Sequence, residues 1–523
     1  MPAALPGRLH QHGAKRVSAP TYDLGKLHGG LRLPGEKRQS TSTDIQQLPI
    51  PDQLILPLTQ HVGDQADPIV GVGDTVLKGQ MIAQTKDTLS APVHAPSSGK
   101  VIAIEPWPVS RRFGDKAPCI VIECDGEDKA YEGGTAPRPY ESMSPEELLI
   151  EILLGGIVGL GGAVFPTAQK LMQAISAPLE YLILNGVECE PYISCDDMLM
   201  REHADEVLRG ALILMHALQV ATCYVVVESD KPEALRNIAE ALGEIDDERL
   251  ILKQVPTIFP SGGEDQLVQL VTNREVPSGG LPTDVGCVVQ NVGTAVAIHH
   301  WINKGEPLIS RVTTVTGAGV ASPMNVMARI GTTVEDVVAF AGGYTDRAEQ
   351  LVIGGPMTGK SVTTDAVPLV KATNCVLVLS EQVPLDDEKP CIRCGECAEV
   401  CPIQLLPQQL FWYACADNEK QLRSHGLTDC IECGCCDLVC PSHIPLTADF
   451  RRAKARMLEL ADEKARAERA RQRFESRNER MELEHQMRDQ ELSEQKQAAR
   501  KKGQQAIQDI LDRTRNNDDD DEG

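Results

Sequence analysis

A chain of 523 residues exceeds what one hydrophobic core organises, since single cores stop growing near roughly 250 to 300 residues, so several domains are expected. Its formal charge of -24 repels a phosphate backbone and excludes nucleic acid as a partner on electrostatic grounds. No run of about 18 apolar residues is present to cross a membrane, because the best candidate, residues 211–227, is broken by His216, Gln219 and Thr222 and reads as a helix followed by a strand.

The amino terminus lacks the apolar core of a secretory signal, so the expected address is the cytoplasm, with attachment to a membrane complex left open. Seventeen cysteines in such a chain argue for metal or redox chemistry, because a reducing cytosol keeps thiols free. Nine fall between Cys391 and Cys440. Cys119, Cys124, Cys189, Cys195, Cys223, Cys287, Cys375 and Cys415 are scattered, and most of them read as small buried hydrophobes.

Residues 1–40 carry Gly, Pro and basic residues without periodicity and read as a loosely ordered arm. Over residues 41–130 short apolar runs alternate with glycine turns, the mark of a small β domain. Gly73, Asp74, Gly79 and Gln80, followed by Ala95, Pro96, Gly99 and Val101, resemble the barrel-sandwich hybrid of lipoyl and biotinyl domains. Such domains carry their cofactor on a lysine at a hairpin tip. The tip here falls near Leu89 and the closest lysine, Lys86, is three residues early, so a lipoyl-like but unlipoylated module is expected.

Helical and strand patterns alternate over residues 140–305, with helices predicted at 145–154 and 204–218 and strands at 181–184 and 223–227, which argues for an α/β domain with a largely parallel sheet. Residues 306–380 return to strands around one short helix at 333–340, a β-grasp module. Residues 385–447 hold the cysteine block. Residues 448–523 are dominated by Arg, Lys, Glu, Gln and Ala, and their apolar residues are too sparse for a heptad seam. A long exposed charged helix with opposite charges three or four apart is the plain reading, ending in a disordered acidic run at 518–522.

The sharpest signal is a duplicated phrase. Cys391, Cys394, Cys397 and Cys401-Pro402 recur with the same spacing as Cys430, Cys433, Cys436 and Cys440-Pro441. Two-residue gaps let a short loop fold around three corners of an iron-sulfur cube, and Gly395 and Gly434 let the backbone approach closely. The fourth cysteine of such a run ligates the other cluster in two-cluster ferredoxins. Two 4Fe-4S clusters are therefore expected, one on Cys391, Cys394, Cys397 and Cys440 and the other on Cys430, Cys433, Cys436 and Cys401. Zinc also takes Cys-x-x-Cys pairs, but two complete runs ending in Cys-Pro are not zinc-knuckle spacing. Cys435 breaks no ligand spacing and reads as a spare thiol. The long, helical-looking stretch at 402–429 points to an α-helical di-cluster ferredoxin domain.

In the α/β block, Gly155, Gly156, Gly159, Gly161 and Gly162 precede a helix expected near Pro166, so bare amides and a helix amino end form an anion site to which Lys170 adds a positive charge. A glycine-rich loop alone is equally well a tight turn. Its companions are Asn185, Glu188 and Glu190 after a strand, Gly262, Gly263 and Glu264, and Gln290, Asn291, Gly293 and Thr294. This order resembles the flavin- and NADH-binding subunit of respiratory complex I, with Val187 where that family has Asp and Gly263 where it has Glu. The resemblance implies that Gly159, Gly161, Gly162, Lys170, Asn185, Glu188, Glu190, Glu264, Asn291 and Thr294 bind FMN and NAD(H); no residue is singled out as catalytic.

The module order, with Leu27-His-Gly-Gly-Leu31, Pro57-Leu-Thr-Gln-His61 and Ala91-Pro-Val-His94, resembles the RnfC/RsxC family of the Rnf/Rsx ion-translocating electron transport complexes over residues 27–450. That resemblance implies a multidomain α/β plus β architecture: a barrel-sandwich hybrid, a complex I flavoprotein-like FMN domain, a β-grasp (SLBB-like) module, a di-cluster ferredoxin domain and the charged helix. It also implies a peripheral protein on the cytoplasmic side of the bacterial inner membrane. There it would pass electrons between NAD(H) and a ferredoxin-type carrier while membrane-embedded partner subunits of the Rnf/Rsx complex move an ion, the work of a translocase. Two rivals stand beside it, a soluble flavin-dependent cobalamin reductase with the same domains and an electron-transfer scaffold without NADH binding.

Overall fold

The computed structural model describes residues 24–85, 89–110, 116–133, 138–380 and 388–518, and the chain divides into two units after Phe450. Lys86 and most of the acidic run lie outside the described residues, as does the first part of the arm.

The first module faces two antiparallel sheets across an apolar interior. One orders Gln53–Pro57, Lys116–Cys124, Gly99–Pro108 and Thr75–Val76; the other orders Asp67–Pro68, Met81–Gln84 and Val93–His94. Leu54, Leu56, Ile82, Val101, Ile120 and Ile122 fill the space between and are fully buried. Along Lys116–Cys124, Ile120 and Ile122 share the face turned into this space, while Cys119 and Val121 are buried on the opposite face.

The second module is a four-stranded parallel sheet in the order Leu250–Val255, Thr222–Glu228, Tyr181–Gly186 and Cys287–Asn291. Its central strands read as near-continuous apolar runs because helices cover both faces. The helix Pro145–Leu154 starts on a Ser144–Glu147 capping box with proline at its first turn, and Ala204–Leu218 stops on Gln219 in the left-handed conformation. Parallel strands place all their carboxyl ends on one edge, and that edge carries the candidate site.

The third module is a six-stranded mixed sheet ordered Gln46–Gln47, Met324–Arg329, Ser310–Thr316, Cys375–Leu379, Gln350–Ile353 and Lys360–Val362, with the helix Val334–Phe340 packed on Val315, Val326, Val376 and Val378. Gln46–Gln47, which the sequence groups with the barrel, instead pairs in parallel with Met324–Arg329. Two residues are too few to show a strand's alternation.

Lys371 ties the three modules together. Its fully buried ammonium donates to Pro92 O at 2.8 Å in the first and Gly156 O at 2.7 Å in the second, and burial pushes its pKa down to about 7.

The cysteine block is helical, built from Glu396–Glu399, Pro407–Cys415, Glu419–Ser424 and Cys435–Leu438. The final helix runs Leu446–Asp518, and no helix among the described residues is long and apolar enough to cross a membrane.

The arm is a correction to the sequence reading. Residues 24–40 lack regular structure yet are laid across the protein by specific bonds: Gly25 N to Leu270 O at 2.8 Å, Gly30 N to Val400 O at 2.9 Å, and a two-way bridge between Leu31 and Phe259. Periodicity could not reveal it, because the segment's partners lie hundreds of residues away and belong to other elements. The scattered cysteines also divide: Cys119, Cys195, Cys223, Cys287 and Cys375 are buried, but Cys415 is exposed.

Candidate functional site

Asn185 and Asn291 end neighbouring parallel strands and are register partners. Asn291 caps the helix Val292–His299, its Oδ1 accepting from Gly293 N at 2.8 Å, while its Nδ2 donates to Asp196 Oδ2 at 2.6 Å. Asn185 donates to Gly262 O at 2.9 Å and accepts from Val187 N at 3.1 Å. The glycine loop is seated on this pair. Leu160 N donates to Thr294 Oγ1 at 3.0 Å, and a Cβ on Gly161 would sit 3.2 Å from Asn291 Cβ, so the backbone approaches as closely as its missing side chain permits. Gly159 N bonds Phe165 O at 2.9 Å and closes the loop. Gly162 has φ +100° and nothing within 4 Å of where its Cβ would be. An open glycine turn facing the polar carboxyl edge of a parallel sheet fits a flavin mononucleotide phosphate.

Lys170 lies on the helix Thr167–Ala174, which follows Pro166, and its Nζ donates to Glu264 Oε1 and to Val289 O, both at 2.7 Å. The sequence places a lone cation here; the fold brings Glu264, the first residue of Glu264–Thr272, against it, so the local charge is compensated.

Glu188 and Glu190 separate. Glu188 is buried with φ +49°, its Oε1 accepts from Asp196 N at 2.7 Å, and its Oε2 has no hydrogen-bond partner. Burial pushes its carboxyl up to about 8, against the opposing pull of Lys37. Cys195 and Asp196 sit beside it, their ligand atoms all within 4.8 Å of one another. Glu190 instead turns to the β-grasp module, accepting from Met357 N and Thr358 N at 2.8 Å and Thr358 Oγ1 at 2.6 Å.

The two cysteine runs fold alike. Arg393 and Glu432, Gly395 and Gly434, and Gln404 and His443 occupy corresponding positions, and all six have positive φ. Cys391, Cys394, Cys397 and Cys440 line one small hollow with Phe411 and Ile444. Cys401, Cys430, Cys433 and Cys436 line a second with Pro407 and Phe450, joined by the fully buried Cys435. Setting Cys435 aside, each hollow offers four thiols with one corner exchanged between runs, a donor set that fits an iron-sulfur cube. Contacts from the other modules reach the second hollow's loops: Gly30 N to Val400 O at 2.9 Å, Ser278 Oγ to Asp429 Oδ2 at 2.6 Å, and Met357 O 3.5 Å from where a Cβ on Gly434 would be.

Residues 25–127 match the family described as RnfC barrel sandwich hybrid domain, residues 152–300 the Nuo51 FMN-binding domain, and residues 312–361 the SLBB domain. The C subunit of the ion-translocating oxidoreductase complex of Pseudomonas aeruginosa is 48% identical over 466 residues, covering 88% of this chain and 59% of that protein. The protein of the same name from Serratia proteamaculans is 44% identical over 459 residues, with 87% and 64% covered. That from Haemophilus influenzae is 41% identical over 470 residues, with 89% of this chain and 70% of the relative covered.

This chain belongs to the RnfC family of ion-translocating oxidoreductase complexes. It combines a barrel-sandwich hybrid, an FMN-binding α/β domain, an SLBB module and a long terminal helix. The chain spans 59% and 64% of the length of the first two RnfC relatives.

Sequence reasoning missed Lys37, Asp196 and Cys195. Asp196 and Cys195 lie just beyond the Asn185 to Pro191 phrase, and their proximity to it was a usable signal. Lys37 reaches the site from 151 residues away and left none.

Proposed function

We propose that this RnfC chain works at the cytoplasmic face of the bacterial inner membrane, exchanging electrons between NAD(H) and a ferredoxin-type carrier through FMN and two 4Fe-4S clusters. Membrane-embedded partner subunits would couple that flow to ion translocation. What supports the reading is the meeting of two halves: a glycine loop seated on paired asparagines at a sheet's carboxyl edge, and two hollows that each gather the expected four thiols, the second of which has a flanking loop bonded by Ser278 of that same α/β domain.

FMN, when bound, supplies the change from paired to single electrons, which nicotinamide and iron-sulfur groups cannot exchange directly. The chain's own residues do the rest. The open face of the glycine turn at 159–162 would receive an anionic group, while Gly159 N and Leu160 N are spent on closing and seating that turn, and Asn185, Asn291 and Thr294 hold the loop and the strand ends in place. The Lys170–Glu264 pair fixes the flank of the site. Glu188 holds a proton at neutral pH beside Asp196. Cys391, Cys394, Cys397 and Cys440 would hold one cluster, and Cys401, Cys430, Cys433 and Cys436 the other.

The test is anaerobic purification with iron, sulfide and flavin analysis, followed by stopped-flow mixing with NADH. Rapid flavin bleaching followed by cluster reduction is expected. Absent bleaching would leave only an electron-transfer scaffold, and zinc in place of iron and sulfide would end the redox reading altogether.

A further inference from the structure

We propose that Lys37, carried across the sheet edge by the strap of residues 24–40, is the positioning residue that holds the 187–196 turn in the shape the candidate flavin site requires. Its Nζ donates to Glu188 O at 2.5 Å and Ile193 O at 2.7 Å, and lies 3.5 Å from Glu188 Oε2. One ammonium thus satisfies carbonyls from both limbs of the turn, groups that burial would otherwise leave without water.

The turn needs such a clamp. Glu188 (φ +49°) and Tyr192 (φ +69°) both sit in the left-handed region that side-chain-bearing residues rarely adopt, within five residues of each other. The strap grips the turn at two further points: Gly35 O accepts from Tyr192 N at 2.8 Å, and Ser40 Oγ lies 2.8 Å from Ser194 Oγ. Asn325 of the β-grasp sheet fixes the strap's end by donating to Ser40 O at 2.9 Å.

From Lys37 the bonds run inward without a gap. Glu188 Oε1 accepts from Asp196 N, Asp196 Oδ2 accepts from Asn291 Nδ2, and Asn291 is the in-register partner of Asn185. The lysine's charge also acts on Asp196, a half-buried carboxyl that Lys231 and Arg311 face from other elements. Lys231 is already committed to Glu228 and Asp230, and Arg311 to backbone carbonyls including Lys371 O.

The experiment uses the full chain carrying Lys37→Met or Lys37→Arg, and the flavin arm rests on the FMN reading above. Hydrogen exchange is followed in peptides spanning 187–196, with the helix Pro232–Ile245 as the folding control, and FMN affinity is measured by titration. In Lys37→Met, exchange over 187–196 is expected to quicken about tenfold or more with the control unchanged. FMN affinity is expected to fall about tenfold, and Lys37→Arg, which keeps the charge and donors, recovers most of both. Unchanged exchange over 187–196 in Lys37→Met overturns the proposal whatever the flavin does, as does failure of Lys37→Arg to recover it. A wild-type chain that takes up no FMN, combined with a loosened turn in Lys37→Met, sinks the flavin reading and leaves the clamp standing.

Discussion

Glu190 accepts a 2.6 Å hydrogen bond from the Thr358 hydroxyl, which fastens the turn after the central strand to the β-grasp loop at 354–359. With Met357 N and Thr358 N also donating, the carboxylate is committed to this joint. Glu190→Ala is therefore expected to lower stability by about 1 to 3 kcal/mol, the range for hydrogen bonds to a charged acceptor and for amides left unpaired. Thermal unfolding measures the loss, and flavin content should stay at the wild-type level. Lost flavin with an unchanged Tm would place Glu190 against the cofactor instead.

Glu188 gives the fold a pH dependence of definite sign. Its folded pKa, about 8, lies above the ordinary value of 4.5, so between those values the native state binds more protons than the unfolded one. Stability is then fullest below the unfolded pKa and declines as pH rises through about 8. Glu188→Gln removes the titration. Denaturant midpoints from pH 5 to 8 should show the variant gaining on the wild type as pH rises, and parallel curves would refute the assignment.

Lys170 and Glu264 form one ion pair at 2.7 Å, so reversing one charge sets two carboxylates against each other beside the glycine loop. Lys170→Glu is expected to abolish FMN retention while iron and sulfide are unaffected. Adding Glu264→Lys restores opposite charges and should recover part of the flavin. Unchanged flavin in the single variant would mean that the loop has been misassigned.

The exchanged corners make a pairing prediction. Cys440 belongs to the second run by sequence but to the first hollow by position, and Cys401 the reverse. Cys440→Ser should therefore alter the same electron paramagnetic resonance signal as Cys394→Ser, and Cys401→Ser the same signal as Cys433→Ser, each with about half of the iron lost. Grouping by run instead of by hollow would disprove the exchange.

What the sequence disclosed followed the range of the interactions involved. The duplicated cysteine phrase was readable because ligand spacing is local, and the structure repeats even its left-handed residues, Arg393 with Glu432 and Gly395 with Gly434. The helix expected at 204–218 is observed as Ala204–Leu218, since a fifteen-residue apolar face leaves a periodic trace. Glu190 shows the opposite case: its chain position suggested a ligand contact, but a loop 167 residues away decides which way its carboxylate turns. The strap escaped for the same reason, as its bonds are almost all to backbone groups of distant elements.

The terminal helix, Leu446–Asp518, is 73 residues long and would extend roughly 110 Å at the usual rise per residue. Nearly all of its described side chains beyond Met457 face water, and its ion pairs, such as Arg471 with Glu468 and Glu475, are made between neighbours on the same rod. Such a rod has no interior to lose all at once. Heating should erode it gradually over a broad interval, and added salt should hasten the erosion, while the globular body gives way in steps of its own.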